Sequence, residues 1–294
     1  MTILVTGASG NVGRHVVRGL VGAGQRVRAM THSRGAEALP RGVEAVRADF
    51  ADPATFGAAL EGVERVYLFS GATAAFVDRA RSAGVGRFVV HSAIAAGFPD
   101  DDDPDDTGLS PLRRHLALKR EEHRAVERLA EASGAEWTHV RMGLLAVGAL
   151  GWAAPIRAGE PVRGPYAGAG EPLVHEADVA EVAVAALLTD DHIGAAHALT
   201  GPAKVTQAEQ VDAIGRATGR AATYEEIPPD QARKEWYDPA NGMDHEVIDW
   251  ILDLQAASSN GPGVIAPTTT YEQLTGRPPR TFTQWALDHT NDFR

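Results

Sequence analysis

Apolar runs of strand length alternate with segments of helical periodicity through the first half of the chain. TILVT (2–6), RVRAMT (26–31), VEAVRA (43–48), RVYLFS (65–70), RFVVHS (87–92) and WTHVRM (137–142) read as strands. NVGRHVVRGLVGAG and AAFVDRARSAG, between them, read as helices. Short continuous apolar runs, rather than alternating ones, mark strands buried on both faces. The pattern therefore predicts an α/β fold, a doubly wound parallel sheet of the Rossmann type with helices on both sides. Gly24, Gly84 and Gly134 close predicted helices, where a left-handed cap turns the chain toward the next strand.

Past Met142 the rhythm changes. Residues 143–175 are rich in Gly and Pro and read as loop with short strands. ADVAEVAVAALL reads as a helix, with Asp178 suited to its positive N-terminal end. AAHALTG reads as a late strand, and from TQAEQVDAIGRATG onward the chain is mostly helical with long loops. The expected division is a core of 1–142, completed by about 176–200, and a small, mainly helical C-terminal lobe from 143–175 and 201–294.

Composition narrows the function classes. The 294 residues carry a formal net charge of -11. No excess of cations is present to displace counterions, so a nucleic-acid partner is not expected. The absence of cysteine removes disulfides, thiolate metal sites and cysteine nucleophiles, and no metal site is expected. No basic segment precedes an apolar signal core, and no apolar run reaches membrane-spanning length. The expectation is a soluble cytoplasmic protein with no membrane partner. The acidic run DDDDPDD (100–106) reads as a solvated loop.

The first chemistry-bearing motif is TGASGNVG (6–13), directly after the first strand and opening the first helix. Gly7 permits a sharp turn, Gly10 lets the backbone approach a pyrophosphate, and Gly13 lets the helix pack close to the sheet. The backbone of Ser9, Asn11 and Val12 belongs to the same cradle, and the helix N-terminus offers unpaired donors to phosphate. The second strand ends in Thr31, His32, Ser33 and Arg34, without the carboxylate that would accept a ribose 2′-hydroxyl. A guanidinium suits a 2′-phosphate, so the cofactor expected is NADP(H), with Arg14 as a second candidate cation. Asp49 and Phe50 follow the third strand, where a carboxylate can accept the adenine amino group. Phe69 and Ser70, after the fourth, should lie along the cofactor's ribose edge.

Together with RADFADP and EASGAEWTHVRMG (131–143), the glycine motif resembles the NmrA-like branch of the atypical short-chain dehydrogenases/reductases. The resemblance continues through IRAGEPVRGPYAGAGEPLVHEADVA and LTGPAKVTQAEQV, and is weakest in about 225–265. It implies a dinucleotide-binding core with a substrate lobe. It also implies one of two kinds of protein: an NADPH-dependent reductase, or a redox-silent regulator that senses the dinucleotide.

Such a reductase would carry Tyr-x-x-x-Lys on the helix that here reads RRHLALKREEHRAVE. Matched motif to motif, His115 replaces the tyrosine and Lys119 is the lysine. Counted back from Glu127, the family's glutamate, Lys119 takes the tyrosine position and His123 the lysine position. Either register leaves no tyrosine. His115, Lys119 and His123 follow at i, i+4 and i+8 and so share one helix face. Ser92 stands where such reductases hold the serine that bonds the substrate carbonyl. Met142 and Gly148 depart from the family's usual Pro and Asn, so the substrate pocket should differ.

The reading that follows is an NADPH-dependent reductase of a small, largely apolar carbonyl, quinone or imine-like substrate. A non-redox cyclase or isomerase using NADP structurally, and the dinucleotide-sensing regulator, stay open, as does a homodimer.

Overall fold

In the computed structural model, residues 1–31 and 39–294 are described. The chain divides into two units built from interleaved segments.

The first unit comprises Met1–Gly97, Arg120–Met142 and Glu176–Leu199. Its strands are β1 (Thr2–Val5), β2 (Arg26–Thr31), β3 (Glu44–Arg47), β4 (Arg65–Leu68), β5 (Arg87–Ala93), β6 (Glu136–Met142) and β9 (Ala195–Leu199). They form one sheet in the order β3-β2-β1-β4-β5-β6-β9, parallel throughout. The strand order reverses direction between β1 and β4, which is where an open α/β sheet opens a crevice for a ligand.

The helices of this unit are α1 (Gly13–Gly22), α2 (Phe56–Leu60), α3 (Ala74–Ser82), the C-terminal part of α4 (Pro111–Ala132) and α6 (Glu176–Leu188). The continuous apolar strands are buried as their composition demands: Ile3, Leu4 and Val5 are all 0% exposed. One sheet face packs Leu4, Leu68, Phe88 and Val90 against Phe56, Phe76, Val126 and Ala130 of the helices. On α1, Gly19 admits the side chain of Val184 on α6, which would lie 2.9 Å from an added Cβ.

Arg87 at the start of β5 is 1% exposed. It donates to Glu136 on β6 at 2.8 Å, to the carbonyls of Ala186 and Thr189 at the end of α6, and to Asp190 at 2.5 Å. One guanidinium thus joins two strands and a helix end.

The second unit comprises Phe98–Lys119, Gly143–His175 and Thr200–Arg294. It holds the first turns of α4, then α5 (Ala153–Ala158), β7 (Val162–Gly164), β8 (Gly170–Glu171), β10 (Val205–Thr206), α7 (Gln207–Thr218), β11 (Tyr224–Glu226), α8 (Pro229–Glu235), α9 (His245–Ser259), α10 (Thr270–Thr275) and α11 (Phe282–Asp288). β8 pairs with β10 and β7 with β11. Its core gathers Val147, Ile156, Val211 and Ile214 around Trp285, which is 0% exposed. Thr206 and Glu209 form a capping box at the start of α7.

Two boundaries differ from the sequence reading. Phe98–Lys119 belongs to the second unit, although 1–142 was expected to form the first. The cause is local: Leu112 N–H meets Asp253 on α9, and the His115 ring stacks on Trp250 at 3.9 Å between centroids. Residues 146–158 form a 3-10 turn and α5, where loop was expected. Their apolar side chains face the Trp285 core, and that burial outweighs the helix-breaking composition of the stretch.

Replacing Arg87 with Leu removes the charge and leaves the Ala186 and Thr189 carbonyls without this donor. We expect a loss of roughly 1–3 kcal/mol of stability, read as a lowered urea midpoint with an unchanged slope.

Candidate functional site

The glycine loop grows directly out of β1. The Thr6 hydroxyl donates to the Tyr67 carbonyl at 2.9 Å and accepts the Phe69 N–H at 2.7 Å, fastening the loop to the end of β4. Gly7 then turns with φ of 62°, and the Gly10 N–H donates to the Gly7 carbonyl at 2.9 Å. A Cβ on Gly13 would lie 2.1 Å from the Gly7 oxygen and one on Gly10 would lie 3.1 Å from it. The loop therefore folds this tightly onto the helix only with glycine at Gly13, and with little room at Gly10.

No side chain caps α1, and its first turn holds no acidic residue. The N–H groups of Asn11, Val12 and Gly13 meet no protein acceptor among the described residues. A helix start with free donors and a positive dipole end, reached through a glycine turn, fits a diphosphate. Arg14, expected as a second cation, lies 3.4 Å from the buried carboxylate of Glu176, so much of its charge is already answered within the protein.

A cavity of about 560 Å³ adjoins the loop, lined by Gly7, Ser9, Gly10, Thr31, Asp49, Phe50 and Phe69 among others. Seven positions singled out from sequence thus meet in one place. Asp49 Oδ1 accepts the Ala51 N–H at 2.9 Å, and the Phe50 ring is held edge-on to Phe76 at 4.9 Å. Phe69 is 42% exposed beside Gly7. Ser70 is half-buried and is not part of this lining. His32, Ser33 and Arg34, the proposed partners of a 2′-phosphate, lie outside the described residues.

The face of α4 is graded in burial. His115 and Lys119 are half-buried, and His123 is 9% exposed. His115 is spent on Trp250 in the second unit. In the first unit, His123 lies within electrostatic reach of His91 on β5.

Ser92 is only 1% exposed. Its hydroxyl donates to Glu127 Oε1 at 2.7 Å, and Arg141 on β6 donates to both oxygens of the same carboxylate at 2.8 and 2.7 Å. Burial pushes the Glu127 carboxyl up, but the Arg141 and Ser92 hydrogen bonds together outweigh it and hold the group below the ordinary carboxylate range. The Ser92 hydroxyl is thus held by the Glu127 carboxylate.

Sequence reasoning missed one pair entirely. The hydroxyl of Tyr67, 1% exposed, lies 2.6 Å from His91 Nδ1. Burial raises the tyrosine and lowers the imidazole to about 4, with His123 adding to the latter. Both are neutral near pH 7, so Tyr67 donates and the His91 proton sits on Nε2. The signal was present in the strand register: Tyr67 on β4 pairs with Val89, which sets His91 one pleat further on β5.

The second unit contains its own cavity, of about 770 Å³. It is lined by residues within 144–173 and 224–258, and also by Gln207 and Gln210 of α7. No group of three or more metal-ligating side chains occurs among the described residues, and no described helix is long and apolar enough to cross a membrane.

A parallel sheet that reverses its strand order beside a glycine turn and an open helix N-terminus defines a dinucleotide-binding α/β protein. The chain belongs to the NAD(P)H-binding family, whose model matches residues 7–190, and its fold is that of the NmrA-like proteins. It is similar to the (4-alkanoyl-5-oxo-2,5-dihydrofuran-3-yl)methyl phosphate reductase of Streptomyces griseus, at 36% identity over 298 residues and 99% of both chains. It is also similar to the NAD(P)H azoreductase of Xenophilus azovorans, at 31% identity over 301 residues and 99% of both chains. Among solved structures, the NADPH-dependent quinone oxidoreductase of Escherichia coli superimposes with a TM-score of 0.73 at 25% identity, covering 97% of this chain and 98% of that one.

The buried Glu127 carboxylate makes a pH prediction. Its folded-state value is depressed, so its stabilisation is complete above the ordinary value of 4.5 and is lost as pH falls through the lowered one. Urea midpoints of the wild type should fall steeply on acidification in that window. Those of Glu127→Gln should be flatter there, and the variant should be less stable by roughly 1–3 kcal/mol near pH 7. Equal slopes would remove Glu127 from the account.

Proposed function

We propose that this protein is an NADPH-dependent reductase of a small, largely apolar carbonyl, quinone or imine-like acceptor. The observation that carries the reading is the glycine cradle, with its unclaimed N–H groups and adjoining cavity, in a chain whose full-length relatives are reductases.

The backbone of Gly7, Ser9, Gly10, Asn11, Val12 and Gly13 would hold the diphosphate. Asp49 would accept from the adenine, with Phe50 and Phe69 as apolar walls and Ser70 beside the ribose. Thr31, His32, Ser33 and Arg34 would answer the 2′-phosphate through charge-assisted hydrogen bonds. The bound nicotinamide supplies the hydride, which is the cofactor's chemistry rather than the protein's.

The protein's own part is to position groups and manage a proton. Lys119 is the candidate to hydrogen-bond ribose hydroxyls and favour a developing anion. His123 is the candidate proton donor, an imidazole on α4 close to His91 of β5. Ser92, tied to Glu127, positions that carboxylate and through it Arg141. A quinone makes the least demand, because its reduced anion is stable enough to be protonated by water. The missing Tyr-x-x-x-Lys tyrosine is then no obstacle to turnover.

Two experiments test the reading. NADPH oxidation should be followed at the nicotinamide absorbance with quinone and carbonyl acceptors, alongside NADPH and NADH titrations of wild type and Arg34→Ala. Wild type should bind NADPH about ten- to a hundred-fold more tightly than NADH, and the variant should lose that margin. A dinucleotide that binds but is never oxidised would favour the structural-cofactor or sensing alternatives. In the second, His123→Ala should lower turnover of a carbonyl acceptor roughly a hundred-fold with little change in cofactor affinity, and should affect a quinone far less. Equal effects on both acceptors would count against His123 as the proton donor.

A further inference from the structure

The cavity beside the glycine cradle accounts for one half of a dinucleotide. It reaches from the Gly7–Gly10 turn after β1 to Thr31 at the end of β2 and Asp49 beyond β3. With a diphosphate at the turn, the second nucleoside runs the other way, over the carboxyl ends of β4 and β5, because the strand order reverses at β1. Phe69 stands at that boundary. Its ring belongs to the cavity lining and would lie 3.3 Å from a Cβ on Gly7. The same ring lies 5.2 Å from the His91 imidazole between centroids, tilted by 41°.

His91 is anchored at one ring edge and open at the other. The Tyr67 hydroxyl lies 2.6 Å from Nδ1, and that nitrogen is its one partner among the described residues. Were Nδ1 protonated, the proton of a tyrosine that is 1% exposed would be left without an acceptor. Tyr67 therefore donates, and the His91 proton is held on Nε2, at the edge of the ring away from that hydroxyl. His91 itself is half-buried. Its Nε2 meets no protein partner among the described residues and is not one of the enclosed polar atoms. The protein thus leaves open one N–H donor, fixed in tautomer, one ring beyond the cradle.

This donor is also uncharged. Burial, with His123 adding to it, lowers the imidazole to about 4. A neutral N–H suits a partner whose charge changes. The nicotinamide ring is neutral when reduced and positive when oxidised. An imidazolium beside it would oppose the oxidised form, whereas a neutral donor serves both. The strong neutral acceptor on that ring is its carboxamide oxygen.

We propose that His91 is a cofactor-binding residue whose Nε2–H donates to the carboxamide oxygen of a bound nicotinamide, and that Tyr67 is the positioning residue that keeps the proton on Nε2. The proposal rests on the NADPH reading above. It adds a contact that restrains rotation of the nicotinamide ring, and so restrains which face meets the acceptor.

The test compares NADP+ with 2′-phospho-ADP-ribose, the same molecule without its nicotinamide ring. In the full-length protein labelled with nitrogen-15 at histidine, the His91 signals should show the proton on Nε2 and none on Nδ1. NADP+ should shift the Nε2–H resonance and slow its exchange with water, and 2′-phospho-ADP-ribose should do neither. In Tyr67→Phe the proton should spread over both nitrogens. By calorimetry, His91→Phe should weaken NADP+ roughly three- to ten-fold, the value of one hydrogen bond, and leave 2′-phospho-ADP-ribose within about two-fold. His91→Gln keeps an N–H at similar reach and should recover most of that loss. A proton on Nδ1, a resonance that NADP+ leaves unmoved, or one that both ligands move equally overturns the proposal. The wild-type spectra decide alone should the variants fail to fold. A protein that binds neither ligand overturns the dinucleotide reading and this proposal with it. Binding with the expected His91 signature but without NADPH oxidation overturns the reductase reading and leaves the His91 contact standing.

Discussion

The first unit's site depends on one buried carboxylate. Glu127, 3% exposed, takes hydrogen bonds from Ser92 on β5 and from Arg141 on β6 while standing on α4. Three elements that are far apart in sequence are held in register by two oxygens. The same guanidinium lies 3.2 Å from where a Cβ on Gly97 would stand, and Arg124 donates to the Ala96 carbonyl at 2.8 Å. The turn after β5 is therefore clamped to the same cluster. Breaking such a pair strands a charge in a medium that solvates it poorly. The rotation of α4 about its axis, and with it the placement of His123, follows from this contact.

The two cavities are built from different materials. In the first unit the cradle is backbone: a glycine turn, an uncapped helix start and the N–H groups of three successive residues. Backbone donors suit a phosphate, whose charge is spread over several oxygens and does not vary between substrates. In the second unit the cavity is made of side chains, chiefly aromatic rings, leucines and glutamine amides. Side chains are what a protein changes to alter ligand choice while leaving the fold intact.

The serine and the histidines show how much position alone leaves open. Ser92 stands at the strand end where a reductase holds its catalytic hydroxyl, yet its proton belongs to Glu127. His115 shares a helix face with His123, yet its ring is stacked on Trp250. Meanwhile Tyr67 and His91, which carry no motif, form a buried neutral pair beside Phe69. A hydroxyl or an imidazole acquires its role from the partner that orients it and from the solvent it has lost.

By itself the sequence determined the parallel sheet, because strands buried on both faces must be continuously apolar, and it determined the nucleotide cradle, because Gly7, Gly10 and Gly13 answer local steric demands. It also located the lining of that cradle at Thr31, Asp49, Phe50 and Phe69, since ligands gather at the carboxyl ends of such strands. Only the tertiary structure decided that Phe98–Lys119 joins the second unit, that residues 146–158 coil against Trp285, and that Gln255 is left with a buried oxygen facing no donor. Those outcomes rest on contacts between residues separated by many tens of positions. No periodicity encodes such contacts, because they exist only after the chain has packed.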